Sequence, residues 1–124
     1  MSDVLQTLFD TIIERQAHPR PDSYTARLLD AGEDEILKKV GEEAIEVILA
    51  AKGQGDQRLI SEMADVFYHL LVLLAARGLT LDDVKAELVR RRPSTGLGVS
   101  LRPEPSSRAQ AEGFRPRGSV ERSG

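Results

Sequence analysis

The sequence predicts an all-α protein, a four-helix bundle followed by a disordered C-terminal tail. Apolar residues recur at helical spacing through the first 92 residues, and no alternating run or hairpin signal competes with this pattern. The composition then changes, because fifteen of the 32 residues in 93–124 are Pro, Gly or Ser. Such a segment buries too little apolar surface to offset its chain entropy. We therefore predict a folded domain over 1–92 and a disordered tail over 93–124.

The first half of the folded part contains three predicted helices. The first spans residues 3–17 and ends where His18 precedes a proline. Ser23 is placed to cap a short helix that runs through Leu29. A long helix then extends from about Glu33 to Lys52, and glycines at 53 and 55 end it.

Two more helices follow. Asp56 is a plausible cap for a helix from about Gln57 to Arg77, which the next glycine ends. Thr80 and Asp83 resemble a capping box that opens a final helix to about Arg92. The four main helices are joined by short loops, which is typical of an all-α bundle.

The charge, the cysteine content and the apolar runs of the chain exclude several classes of protein. Seventeen Lys and Arg against twenty Asp and Glu give a net charge of −3, which argues against a nucleic-acid partner. The chain has no cysteine, so disulfides and thiolate metal sites are excluded. The longest uninterrupted apolar run, 70–76, is far shorter than the ~18–20 residues of a membrane span, and the first ten residues do not resemble a signal peptide. We expect a cytoplasmic protein without a membrane partner, and its small folded part favours a homodimer or higher homo-oligomer.

The helix near 59–76 carries an acidic stripe inside an otherwise apolar segment. Glu62, Asp65 and His69 lie on one side of it, flanked by Ser61 and Tyr68. A helix that is apolar on most sides is expected to be buried, so the stripe is expected to face something other than bulk water. Buried carboxylates without partners cost several kcal/mol, which pairing, protonation or a metal ion relieves.

The preceding helix contains a matching group of acids. Glu43 and Glu46 form E-x-x-E, and after fifteen intervening residues Glu62 and Asp65 form E-x-x-D. This interval is long enough to finish one helix, turn, and return antiparallel, so that four carboxylates converge. Oxygen-only ligation suits Mg²⁺, with Mn²⁺ as an alternative. The competing interpretation is a solvated surface in which Lys38 and its neighbour Lys39 pair with acids four residues later.

Other polar residues are less specific. His69 is interpreted as a hydrogen-bond partner or a core histidine rather than a ligand. Lys38 and Lys39, with arginines at 15, 20 and 27, are what a polyphosphate bound to a metal needs, although each has an ordinary surface role as an alternative. The chain contains neither of two glycine-rich phosphate-binding motifs, G-x-x-x-x-G-K-[ST] and G-x-G-x-x-G.

Two blocks, SYTARLLDAGEDEILKKVGEEAIEVILAAK (23–52) and SEMADVFYHLLVLLAARGLTLDDV (61–84), give the chain a resemblance. It resembles the phosphoribosyl-ATP pyrophosphohydrolases of histidine biosynthesis, which belong to the MazG-like all-α nucleotide pyrophosphohydrolases. The resemblance spans about residues 4–92. It implies a MazG-like bundle that hydrolyses phosphoribosyl-ATP to phosphoribosyl-AMP and pyrophosphate with Mg²⁺.

The resemblance also implies roles for individual residues. The metal ligands would be Glu43, Glu46, Glu62 and Asp65. Glu42 and Glu43 are the candidates for the catalytic base, and the resemblance leaves the choice between them open. Substrate contacts are expected from six residues: Lys38, Lys39, Arg27, Ser23, Tyr24 and Thr25.

The sequence is also compatible with two other functions. A house-cleaning pyrophosphohydrolase acting on non-standard nucleoside triphosphates would share every carboxylate. A non-enzymatic helical dimer or binding module would instead tolerate loss of these acids and show no dependence on divalent metals.

Overall fold

The computed structural model describes residues 3–92, and these residues contain helices and no strands. The all-α prediction is therefore confirmed for this part of the chain, whereas the predicted tail over 93–124 lies outside it. The helices are α1 (Val4–Ala17), α2 (Tyr24–Ala31), α3 (Glu33–Gly53), α4 (Asp56–Ala76) and α5 (Leu81–Arg91).

The described part contains five helices, so the prediction of a four-helix bundle is only partly right. The segment after Ser23 is predicted to form a short helix through Leu29, and it forms the eight-residue helix α2, which ends two residues later at Ala31. The Ser23 hydroxyl accepts a hydrogen bond from the Ala26 backbone nitrogen at 3.1 Å, as a helix cap does. Ala26 and Leu28 are buried, so α2 contributes to the core.

The start of α4 differs from its prediction by one residue. Asp56 was expected to be the cap, but Gly55 occupies that position and Asp56 is the first helical residue. Gly55 has φ 89°, a backbone conformation that side-chain-bearing residues rarely adopt. Asp56 instead places its negative charge in the first turn, where it interacts favourably with the positive end of the helix dipole.

The core lies where α1 to α4 meet. The residues that are almost fully buried come from all four helices, with Leu81 directly after them: Phe9, Ile12, Leu28, Ile36, Leu71, Val72, Ala75 and Leu81. Helices α3 and α4 are joined by a short turn and pack as a helical hairpin. This hairpin brings the acids of the two helices together.

Residues 3–92 leave part of the apolar surface of the hairpin uncovered. Helix α4 was expected to be buried on most sides, but it exposes a strip of four large apolar residues at heptad spacing: Ile60, Met63, Phe67 and Leu70. Helix α3 exposes a second strip formed by Ile45, Ile48 and Leu49. By length and composition alone α4 could also cross a membrane, although the core helix of a soluble protein passes the same test.

Candidate metal centre

Three carboxylates meet between α3 and α4. Glu43 projects from α3, and Glu62 and Asp65 project from α4 three residues apart, which places them on one side of that helix. One carboxylate oxygen from each of the three residues lies within 4.8 Å of the other two. A group of oxygen ligands of this kind suits a hard divalent cation such as Mg²⁺.

The three acids differ in their surroundings. Glu62 is only 6% exposed, whereas Glu43 is half-buried and Asp65 is exposed. The Arg58 guanidinium lies one turn earlier on α4, with its Nε 3.0 Å from Glu62 Oε2. The centre therefore has an inner carboxylate that an ion pair holds in place and an outer side that solvent and a ligand can reach.

The electrostatics of the group favour a cation. Burial raises the pKa of Glu43, and a side-chain hydrogen bond with Glu62 raises it further. The negative charges of Asp65 and Glu62 act in the same direction. Like charges at this separation oppose the ionisation of Glu43. A divalent cation would relieve this repulsion.

A hydrogen-bonded chain links α2 to the same turn of α4. His69 Nδ1 lies 2.8 Å from the Asp65 carbonyl oxygen, which can only accept, so this nitrogen carries the proton. In the neutral ring Nε2 is then an acceptor, and the Tyr24 hydroxyl donates to it at 3.1 Å. The interpretation of His69 as a hydrogen-bond partner agrees with this geometry, since both ring nitrogens are engaged.

A second contact joins α2 to α4 beside this chain. The hydroxyl groups of Thr25 and Tyr68 are hydrogen-bonded to each other. Tyr68 is half-buried, and burial is the main cause that raises the pKa of its phenol. The start of α2 is thus attached to α4 at two adjacent residues, next to the carboxylate group.

Comparison with known proteins identifies the family. Residues 5–92 match the family model described as "Phosphoribosyl-ATP pyrophosphohydrolase". A protein of Pelotomaculum thermopropionicum named "Phosphoribosyl-ATP pyrophosphatase" is 53% identical over 90 residues, which cover 73% of this chain and 92% of the relative. Relatives of the same name from Bacillus mycoides and Bacillus thuringiensis are 50% and 48% identical over 91 residues, covering 73% of this chain and 85% of each relative.

The chain belongs to the phosphoribosyl-ATP pyrophosphohydrolase family. The resemblance inferred from the blocks at 23–52 and 61–84 is therefore confirmed, and both blocks lie within the matched residues. Members of the family are hydrolases, so the alternative of a non-enzymatic helical module is not supported.

The structure brings some of the family-inferred residues together and leaves others apart. Glu46 is half-buried one turn after Glu43, outside the group of three oxygens. Glu42 is exposed, with one carboxylate oxygen 3.8 Å from Lys39 Nζ. Lys38 is exposed on the preceding turn of α3. The roles of these residues remain predictions.

The residues expected to contact the family's substrate are divided between two places. Tyr24 and Thr25 lie beside the carboxylate group through their contacts with α4. The Ser23 hydroxyl caps α2, which is a structural role. Arg27 lines a cavity farther along α2. Sequence reasoning noted the arginines but not this cavity, because residues from four helices form it.

Proposed function

We propose that the chain hydrolyses phosphoribosyl-ATP to phosphoribosyl-AMP and pyrophosphate, the second step of histidine biosynthesis, with Mg²⁺ held by Glu43, Glu62 and Asp65. The proposed metal site is supported by one observation, which is that three carboxylate oxygens lie within 4.8 Å of one another. Family membership supports the substrate and the class of reaction. Glu46 is our candidate for a fourth ligand.

The donor set fits a small hard cation better than a softer metal. Its ligand atoms are carboxylate oxygens, and the chain contains no cysteine. Mg²⁺ in proteins usually combines a few carboxylates with oxygens of a substrate phosphate, and Mn²⁺ accepts similar ligands. The buried Glu62 and the exposed Asp65 support binding of an ion at a surface that remains open to the nucleotide.

The protein groups around the ion would orient the reactants. When bound, Mg²⁺ supplies positive charge to the triphosphate and lowers the pKa of a coordinated water. Glu42 and Glu43 are the candidates to accept a proton as the water oxygen forms its bond to phosphorus and pyrophosphate leaves. A positioned base of this kind contributes about 10²–10⁴-fold. Lys38 and Lys39 precede these glutamates by one turn and would offset phosphate charge.

Pyrophosphate release from phosphoribosyl-ATP tests this proposal. We expect release with Mg²⁺, loss of release with excess chelator, and recovery when Mg²⁺ is restored. Ordinary and non-standard nucleoside triphosphates form the comparison panel. Release from that panel in preference to phosphoribosyl-ATP would support the house-cleaning function instead, and release that persists in chelator would contradict the metal assignment.

The proposal includes a second copy of the chain as partner. The exposed strip on α4 repeats at positions 60, 63, 67 and 70, which is the spacing that lets two helices interdigitate. Large apolar side chains grouped in this way mark an interaction surface. An identical strip on another copy is complementary to it by symmetry. We therefore expect a homodimer or larger homo-oligomer. We also propose a cytoplasmic location for the chain.

Phe67→Lys should disrupt this association, because it places a charge in the middle of the α4 strip. We expect wild type to sediment as an oligomer at micromolar concentration and the variant to sediment as a single 13.6 kDa chain. Leu79→Lys is the matched control, since Leu79 is exposed but lies outside both strips. Wild-type protein that sediments as a single chain would contradict the proposal.

A further inference from the structure

A cavity lies beside the core at the end of α4 that is remote from the carboxylate group. Its volume is about 670 Å³, and its walls come from the end of α1 and the following loop, from α2, from the start of α3 and from the last residue of α4. Three arginines line it: Arg15, Arg20 and Arg27. Asp30 and Glu33 are the acids in the lining.

The charges of the lining leave the cavity attractive to an anion. Glu33 is already paired with Arg77, whose Nη1 lies 3.1 Å from Glu33 Oε2, and Arg15 is paired with Glu14, so Arg20 and Arg27 are the arginines left to an anion. Arg27 donates to the Pro21 carbonyl oxygen at 3.4 Å, which is a neutral group, and forms no ion pair with an acid among residues 3–92. Arg20 faces Asp22 at 3.8 Å, a long contact between exposed side chains that is worth little in water. A guanidinium without a close carboxylate partner is suited to donate two parallel hydrogen bonds to the oxygens of one phosphate.

The cavity and the carboxylate group share one side of α4. Glu62, Asp65 and His69 lie on this side, and Ala76, which lines the cavity, follows Glu62 by two heptads. The eleven residues from Asp65 to Ala76 correspond to about 16 Å along the helix. Helix α2 extends from the carboxylate group to the cavity. Its Tyr24 is hydrogen-bonded to His69, and Arg27, one turn later, lines the cavity.

We propose that this arginine-lined cavity binds the phosphate of the phosphoribosyl group while the triphosphate lies at the carboxylates. The inference rests on the proposed function. Phosphoribosyl-ATP carries a triphosphate at one end and a single phosphate ester at the other, separated by two riboses and a purine. Acids for a metal at one place along α4, and arginines from α1, the following loop and α2 near its last residue, match a substrate charged at both ends. ATP has no second phosphate-bearing end, so the cavity selects against it.

Two variants test the inference, Arg20→Gln and Arg27→Gln, which remove the positive charge and keep a polar side chain. We expect each to raise KM for phosphoribosyl-ATP by about ten- to hundredfold with kcat nearly unchanged, the range for loss of a charged hydrogen bond. Arg90→Gln is the control, because Arg90 is an exposed arginine of α5 paired with Glu87. It should leave KM unchanged.

A binding measurement separates this inference from the proposed function. Ribose 5-phosphate titrated calorimetrically into the full chain in chelator should bind wild type, bind either variant at least tenfold more weakly, and compete with phosphoribosyl-ATP in the assay. Ribose without phosphate should not bind. An unchanged KM in both variants, a fall in kcat alone, or equal binding of ribose 5-phosphate by wild type and variants would overturn it. Failure of the proposed function would appear differently, as wild type that releases no pyrophosphate from phosphoribosyl-ATP.

Discussion

Asp65→Asn is expected to lower the rate of pyrophosphate release from phosphoribosyl-ATP by about 10²-fold or more, because loss of a ligand weakens binding of an ion that stabilises the developing charge by several kcal/mol. Asparagine has nearly the same shape as aspartate, so the change removes charge and one strong oxygen ligand with little effect on packing. Asp65 is exposed on α4, and its backbone carbonyl still accepts from His69. The fold should therefore persist while Mg²⁺ binding weakens.

Two measurements show that the loss arises at the metal. Far-ultraviolet circular dichroism should report the same helix content for wild type and variant. Addition of Mg²⁺ should raise the melting temperature of wild type, because an ion that binds only the folded state stabilises it, and should have a smaller effect on the variant. Asp56→Asn is the matched control, since Asp56 is an exposed acid in the first turn of the same helix. Near-normal turnover by Asp65→Asn would show that our ligand assignment is wrong.

The fold could be predicted from the sequence because its main signals are local. Apolar spacing marked α1, and glycines after residue 52 marked the end of α3, each within one or two residues of the observed boundary. The acids at 62 and 65 are also a local signal, since a spacing of three places them on one side of a helix. Because the connection between α3 and α4 is short, the two helices run antiparallel side by side. This arrangement brings Glu43 to the two acids of α4.

Features that depend on residues far apart in the chain escaped prediction. Tyr24 and His69 are 45 residues apart, and no pattern in either segment indicates that they form a hydrogen bond. The cavity lined by Arg15, Arg20 and Arg27 depends likewise on how α1 and α2 pack. The expectation that α4 is buried was wrong for its exposed strip, because an apolar composition shows that a surface avoids water and does not show which chain covers it.

Ile36→Ala is expected to destabilise the protein by about 2–5 kcal/mol, through lost burial and the cavity left behind. Ile36 is 0% exposed in the core near the start of α3. The loss is large against the roughly 5–15 kcal/mol that stabilises a typical domain. Ile36 precedes Glu43 by seven residues and shares its side of α3, so its packing also fixes the rotation that directs Glu43 toward α4.

Leu37→Ala provides a matched comparison, because the neighbouring residue of the same helix is 45% exposed and loses less burial. We expect its effect to be about 1 kcal/mol or less, as for most substitutions away from the core. Urea denaturation followed by circular dichroism at a fixed protein concentration measures both, with the midpoint falling much further for Ile36→Ala. Equal midpoints for the two variants would contradict the assignment of Ile36 to the core. A selective loss of Mg²⁺ stabilisation in Ile36→Ala would show that packing at the start of α3 sets the geometry of the carboxylates two turns later.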